Sequence, residues 1–182
     1  MQLHAATNEM SETIVQIILL VPLAIIIAYY DVRYRRIPNA FVLATLAGGL
    51  AVNAIFGGLA GLTASLMGCA LGFVLMFMLH VFGAMGAGDV KLFAAIGAVT
   101  GAYLIVPTFV VVVLTGGVLA IVSIIRAGKV VTTMHRVLQI FVGMLPGWEM
   151  PKFAVPEDRR YTIPYGVAIT LGSIISMAIF RG

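Results

Sequence analysis

Charge is what this sequence has least of. Only 11 Lys or Arg and 7 Asp or Glu occur among 182 residues, 10% of the chain against 62% hydrophobic residues. Soluble domains carry about 25% charge, and 18 charged side chains cannot cover the surface of a soluble fold this long. A soluble α/β enzyme and a disordered chain are thereby excluded. The formal net charge of +4 is no footprint of a nucleic-acid partner, because the basic residues stand beside apolar runs rather than on one face. Cysteine is nearly absent as well. Cys69 stands alone inside an apolar run, which excludes a disulfide framework and a four-Cys zinc site; no metal and no cofactor is expected. The first thirteen residues, MQLHAATNEMSET, contain no Lys or Arg. They lack the basic start of a cleaved signal peptide, so the first span is expected to be retained as an anchor.

The places without charge carry the fold. Asp, Glu, Lys and Arg are missing from residues 13–30, 37–88, 92–125 and 161–180. About 20 apolar residues make a membrane-crossing helix, whereas the strands of a membrane barrel alternate apolar and polar residues over about 10 positions. These runs are continuously apolar, so an all-α, polytopic helical membrane protein is expected, as a single membrane-embedded domain over 1–182. The first run gives one helix. The second fits two, broken at Phe56-Gly57-Gly58, since paired glycine favours a turn. The third is about 51 Å as one helix, too long for a bilayer core of about 30 Å. A break near Gly101-Ala102 divides it into a short helix and a longer one. The last run is one span, which brings the total to about six transmembrane helices.

The basic residues orient them. Cytoplasmic loops are rich in Lys and Arg. With six alternating spans, Arg33, Arg35, Arg36, Lys91, Arg126, Lys129, Arg136, Lys152, Arg159 and Arg160 all fall on one side and only Arg181 on the other. The N-terminus is expected outside and these segments in the cytoplasm. Within the 127–160 cytoplasmic loop, Val130, Val131, Met134, Val137, Leu138, Phe141 and Leu145 recur at helical spacing, as in an interfacial helix lying on the membrane. Gly57/Gly61, Gly68/Gly72 and Gly97/Gly101 have the small-xxx-small spacing that lets helices pack closely in lipid.

The chain contains three aspartates. Asp158 lies in the loop and reads as a solvated charge. Asp31 closes the first helix and Asp89 opens the fourth, with a two-helix hairpin between them, so both carboxyls return to the same membrane border. Their settings contrast. A helix C-terminus disfavours the anion of Asp31, whereas a helix N-terminus favours that of Asp89. If the bundle brings them together, they can share a proton, one acid holding it while the other activates water, as in aspartyl proteases. Taken singly, Asp89 is also explained as a helix cap, and Asp31 as an ion-pair partner of Arg33 or Arg35. Gly86 and Gly88, without side chains, allow a peptide backbone to approach Asp89. Lys91 either tunes Asp89 or marks the cytoplasmic side, Arg33 and Arg36 read chiefly as cytoplasmic anchors, and His80 as a packed or interfacial side chain.

Three segments then resemble the type IV prepilin peptidase family, the polytopic aspartyl proteases of GxGD type. Asp31-Val32-Arg33-Tyr34-Arg35-Arg36-Ile37-Pro38-Asn39 is similar to the first aspartate motif of that family, Gly86-Ala87-Gly88-Asp89-Val90-Lys91-Leu92 to its GxGD motif, and Ile163-Pro164-Tyr165-Gly166 to the opening of its final helix. The resemblance implies Asp31 and Asp89 as the catalytic pair. Gly86, Gly88, Lys91, Arg33, Arg36, Pro38, Asn39, Pro164, Tyr165 and Gly166 would support substrate approach or the dyad. It implies a prepilin substrate with a basic cytoplasmic leader and one apolar helix, cut after a Gly at their junction. It also implies residence in the bacterial inner membrane, among lipid, with the active site facing the cytoplasm. The long bacterial form adds a four-Cys segment and methylates the new N-terminus; with one Cys, this chain resembles the compact form serving Flp or tight-adherence pili or archaeal-type systems, and methyltransferase activity is expected to be absent. Two other classes fit the composition. A proton-coupled carrier would use Asp31, Asp89 and His80 as proton sites, but carriers set such groups near the midplane and show repeats, and none is seen. A non-catalytic pilus-export scaffold would tolerate Asn at either aspartate.

Overall fold

The computed structural model describes residues 2–82, 85–126, 128 and 165–180, with the backbone alone over 2–9. Four helices account for nearly all of them: α1 (Gln2–Tyr34), α2 (Asn39–Val81), α3 (Ala87–Arg126) and α4 (Tyr165–Phe180). The first three are long and apolar enough to cross a membrane and α4 is a shorter apolar helix; the chain is a helical membrane protein. It divides into two compact units, residues 1–116 with 164–182, and residues 117–163. The packing described here is that of the first. The expected interfacial helix of 127–160 lies outside the described residues, apart from Gly128.

The two longest helices are bent back on themselves at the glycines the sequence marks. Gly58 (φ 58°, ψ −141°) and Gly101 (φ 77°, ψ 173°) leave the helical region, and positive φ is where glycine is unstrained. Each bend is a reversal. Asn53 and Ser65, on opposite sides of Gly58, both donate to the Ala98 carbonyl, at 2.7 and 2.6 Å, although twelve residues of straight helix would separate them by about 18 Å. Phe93 and Phe109, on opposite sides of Gly101, have ring centroids 6.0 Å apart, where a straight helix would hold them about 24 Å apart. Both helices are therefore hairpins, with arms 39–57 and 59–81 in α2 and 87–100 and 102–126 in α3.

The first arm of α3 is the axis of the unit, with every residue from Leu92 to Gly101 buried. Phe93, Ile96 and Val99 pack there with Leu20 and Ile27 of α1, Met76 of α2, Ile105 and Val112 of the second α3 arm, and Ile169 and Met177 of α4. Lipid tails are as apolar as these side chains, so burial alone does not drive the helices together; close packing and interhelical hydrogen bonds do. Both are visible. A Cβ on Gly97 would run into the Gly68 carbonyl, and one on Gly49 would meet the Val99 backbone. Asn53 also donates to Val99 and accepts from the fully buried Gln16 of α1 (3.2 Å), and Thr108 and Ser176 join α3 to α4 at 2.8 Å. Outside, Ile18, Ile25, Leu59, Leu66 and Leu114 are exposed. A polar-stitched interior with an apolar exterior is the pattern of a protein solvated by lipid.

α1 and the first arm of α2 run antiparallel, with Gln16 opposite Asn53 and Tyr30 against Phe41. α4 and the second α3 arm do likewise, with Thr108 opposite Ser176 and Gly116 near Ala168 and Tyr165. This alternation gathers the end of α1, the start of α3 and the start of α4 at one end of the bundle.

Candidate active site

Asp31 lies in the last turn of α1, 8% exposed. A helix C-terminus offers a carboxylate no donors, and the donors come instead from α4. The Gly166 N–H donates to Asp31 Oδ2 at 2.7 Å, and the Val167 N–H is also hydrogen-bonded to the carboxyl. These are among the first N–H groups of α4, which have no partner within their own helix, and the N-terminal end of a helix is a ready anion site. The approach requires glycine: a Cβ on residue 166 would lie 2.8 Å from Asp31 Oδ2 and 3.0 Å from Cγ. Thus the unfavourable setting read from the sequence, a carboxyl at the end of α1, is offset by a second helix end that the sequence does not bring into view.

Arg35, offered by the sequence only as an ion-pair partner of Asp31 and not among the residues supporting the dyad, stands at the site. Its charge acts on Asp31, and its own N–H closes the end of α1 by donating to the Asp31 carbonyl at 3.0 Å. It does so in the left-handed region, φ 53°, a conformation usually given to Gly or Asn at this position. The available signal was the spacing, since residues four apart face each other on a helix.

Asp89 is the third residue of α3, which starts two residues earlier than the sequence suggests, at Ala87. The Gly86 carbonyl accepts from the N–H groups of Asp89 (3.1 Å) and Val90 (3.3 Å), and Asp89 Oδ2 accepts from the Gly86 N–H at 3.1 Å. An acid at the third helical position reaching back to the capping residue is one half of a capping box. The helix-cap role and the site role therefore fall on the same carboxyl, which is half-buried.

Asp31 and Asp89 are close enough for their charges to interact, and Tyr165, next to the Gly166 that holds Asp31, interacts electrostatically with Asp89. The Gly166 N–H engages Oδ2 of Asp31 and the Gly86 N–H engages Oδ2 of Asp89.

The other expected residues divide. Gly88 approaches Ile37, where a Cβ would lie 3.9 Å from its side chain, so the segment that joins α1 to α2 meets the glycines before Asp89. Gly86 is exposed, and its N–H is taken by Asp89. Arg36, Pro38 and Asn39, with Tyr30, Tyr34 and Ile37, line an open groove of about 470 Å³. Pro38 precedes α2 in an extended conformation and its carbonyl accepts from the Phe41 N–H. Arg33 lies over the Tyr34 ring, 5.7 Å from its centroid. Lys91 is exposed. Pro164 lies outside the described residues. A larger hollow of about 790 Å³ opens at the other end of the bundle, among Asn53, Gly61, Gly101 and Tyr103, away from both carboxyls. Among the described residues, no group of three or more His, Cys, Asp or Glu is placed to hold a metal ion. What the site offers is two interacting carboxyls, each held by backbone N–H groups.

Residues 18–121, which include both aspartates, match the Type IV leader peptidase family. The chain is 31% identical over 161 residues to the prepilin leader peptidase/N-methyltransferase of Bacillus subtilis (strain 168), an alignment that covers 87% of this chain. It spans 53%, about half, of the length of that relative. No solved structure matches the chain. With the family match extending over more than half of its length and through both carboxyl-bearing segments, the chain belongs to the type IV leader peptidase family.

Proposed function

We propose that this protein is an aspartic endopeptidase that removes the basic leader from prepilins of the type IV or Flp kind, with Asp31 and Asp89 as its catalytic pair. What supports the reading is that two carboxyls, each tied by a backbone amide at Oδ2, act on each other's charge at the end of the bundle where the arginines and Lys91 of the flanking segments also stand. Two interacting carboxyls lose their protons as a pair rather than singly, so a state with one proton between them is accessible. In that state the ionised acid takes a proton from water as the water attacks the scissile carbonyl carbon. The protonated acid donates to the carbonyl oxygen. The resulting diol collapses as the leaving nitrogen is protonated, and the pair regains its single proton. No metal is needed at any step.

The six helical segments α1, the two arms of α2, the two arms of α3 and α4 would then be six spans, with the N-terminus outside and the site at the cytoplasmic border of the bacterial inner membrane. A prepilin has its basic leader on that side and its apolar helix in the membrane, so the junction to be cut lies at the level of the two carboxyls. The exposed Gly86 leaves room for its backbone, and the groove lined by Tyr30, Tyr34 and Pro38 lies beside the path of approach. The family match and the name of the B. subtilis relative support this substrate class. The reading assigns peptide cleavage alone to the chain.

One observation favours a second reading, a scaffold without chemistry: Asp89 has a structural task as a cap. Asparagine separates the two. It keeps a side-chain carbonyl to accept from the Gly86 or Gly166 N–H but cannot exchange a proton. The test is leader removal from a prepilin in proteoliposomes by wild type, Asp31→Asn and Asp89→Asn. Loss of cleavage in both folded variants supports the dyad; cleavage at the wild-type rate in either refutes it.

A further inference from the structure

His80 closes the second arm of α2, half-buried and outside the motifs that carry the family resemblance. Its Nδ1 lies 2.7 Å from the Met85 carbonyl oxygen. A carbonyl has no hydrogen to give, so Nδ1 carries the proton and is the donor. The Met85 carbonyl and the Gly86 N–H are the two ends of one planar peptide unit, and the Gly86 N–H is the group that donates to Asp89 Oδ2 at 3.1 Å. An imidazole and a carboxyl are therefore joined through a single peptide plane, His80 on its oxygen and Asp89 on its nitrogen.

We propose that His80 is a positioning residue for Asp89, fixing the peptide unit that orients this carboxyl; the proposal rests on the reading of Asp89 as one of the catalytic pair. Two physical effects act together. The first is geometric. The connection from α2 to α3 ends at Gly86, a residue whose backbone has wide freedom, and His80 ties the residue before it to the last turn of α2. The imidazole is itself held in place: Phe77, one turn back on the same face, lies 6.2 Å from it, and Phe73, one turn further, stacks on Phe77 at 5.4 Å. The second is electronic. A donor on the carbonyl of a peptide polarises its N–H, and hydrogen bonds in such a chain strengthen one another. Without His80, the Gly86 N–H would still exist but would no longer be aimed, and a catalytic group displaced by about 1 Å loses up to about 100-fold in rate.

The experiment compares His80→Leu, which removes the donor, with His80→Asn, whose Nδ2 carries an N–H at the position of Nδ1. Both are assayed as full-length protein in proteoliposomes for kcat and KM of prepilin cleavage, beside Asp89→Asn. Specifically ¹⁵N-glycine-labelled protein gives the Gly86 amide proton shift independently of activity. The expected result is a fall in kcat of about tenfold with KM unchanged in His80→Leu, recovery to within about threefold in His80→Asn, and an upfield move of the Gly86 amide only in the Leu variant. Wild-type kcat and an unmoved Gly86 amide in His80→Leu would overturn the proposal, as would equal losses in both variants. Should the Leu variant not fold, His80→Asn decides alone: a folded Asn variant with more than tenfold loss refutes the donor role. Full activity in Asp89→Asn would instead refute the dyad, while the Gly86 shift would still report the link to His80.

Discussion

Replacing Gly166 by Ala tests whether the N-terminus of α4 holds Asp31 in working position. The added Cβ would lie 2.8 Å from Oδ2, 3.0 Å from Cγ and 3.1 Å from Cβ of Asp31. Carbon and oxygen in comfortable contact are about 3.5 Å apart, so the carboxyl or the helix end must retreat by about 0.5 Å or more. The hydrogen bond that now measures 2.7 Å would then stretch toward 3.3 Å, past the usual range of about 2.7–3.2 Å, and weaken. A hydrogen bond to a charged group contributes about 1.5–3 kcal/mol. If the dyad depends on it, the cleavage rate falls by about 10–100-fold, the same range that a displacement approaching 1 Å produces in a catalytic group. Stability moves much less, because alanine is favoured over glycine in a helix by about 1 kcal/mol, which offsets part of the strain. The assay is prepilin cleavage in proteoliposomes together with thermal unfolding of the same preparation. Gly57→Ala serves as control, since nothing lies within 4 Å of a Cβ there. Activity of Gly166→Ala within twofold of wild type would refute the argument that α4 positions Asp31.

Three further outcomes are expected. Gly97→Ala pushes a methyl group into the Gly68 carbonyl and should lower stability by about 1–3 kcal/mol, read as a drop in Tm; an unchanged Tm would contradict the close crossing of α2 and α3. Asn53→Ala breaks the bonds from α2 to the Ala98 and Val99 carbonyls and to Gln16, and at about 0.6–1.7 kcal/mol for an interhelical bond in a membrane should lower Tm while leaving cleavage by the folded protein unchanged. Treatment with EDTA should leave cleavage intact, because two carboxyls suffice for the chemistry; a loss that added divalent metal restores would contradict it.

The parts of this fold that the sequence disclosed are those governed by local chemistry. Charge-free runs located the apolar helices because each span is a continuous segment, and the breaks at Gly58 and Gly101 were readable because the reversal needs a residue tolerant of positive φ. The return of Asp31 and Asp89 to one end of the bundle followed from counting helices, and the structure brings the two carboxyls within reach of each other's charge. What stayed hidden depended on packing between distant segments. The donor that holds Asp31 is 135 residues away along the chain, so the carboxyl seemed to sit at an unfavourable helix end. Asp89 was read as opening its helix, whereas the helix starts two residues before it and the acid reaches back to Gly86. His80 passed for a packed side chain because its partner is a backbone carbonyl, which leaves no mark in the pattern of residue types.

The central claim is that Asp31 and Asp89 act as one chemical unit. Single-turnover cleavage of prepilin by Asp31→Asn, Asp89→Asn and the double variant tests it most directly. Residues that act as a unit show strongly non-additive losses. Each single variant, folded and keeping its capping acceptor, should therefore fall to the same floor as the double variant. A single variant that still cleaves within tenfold of wild type, or a double variant whose loss is the product of the two single losses, would contradict the account.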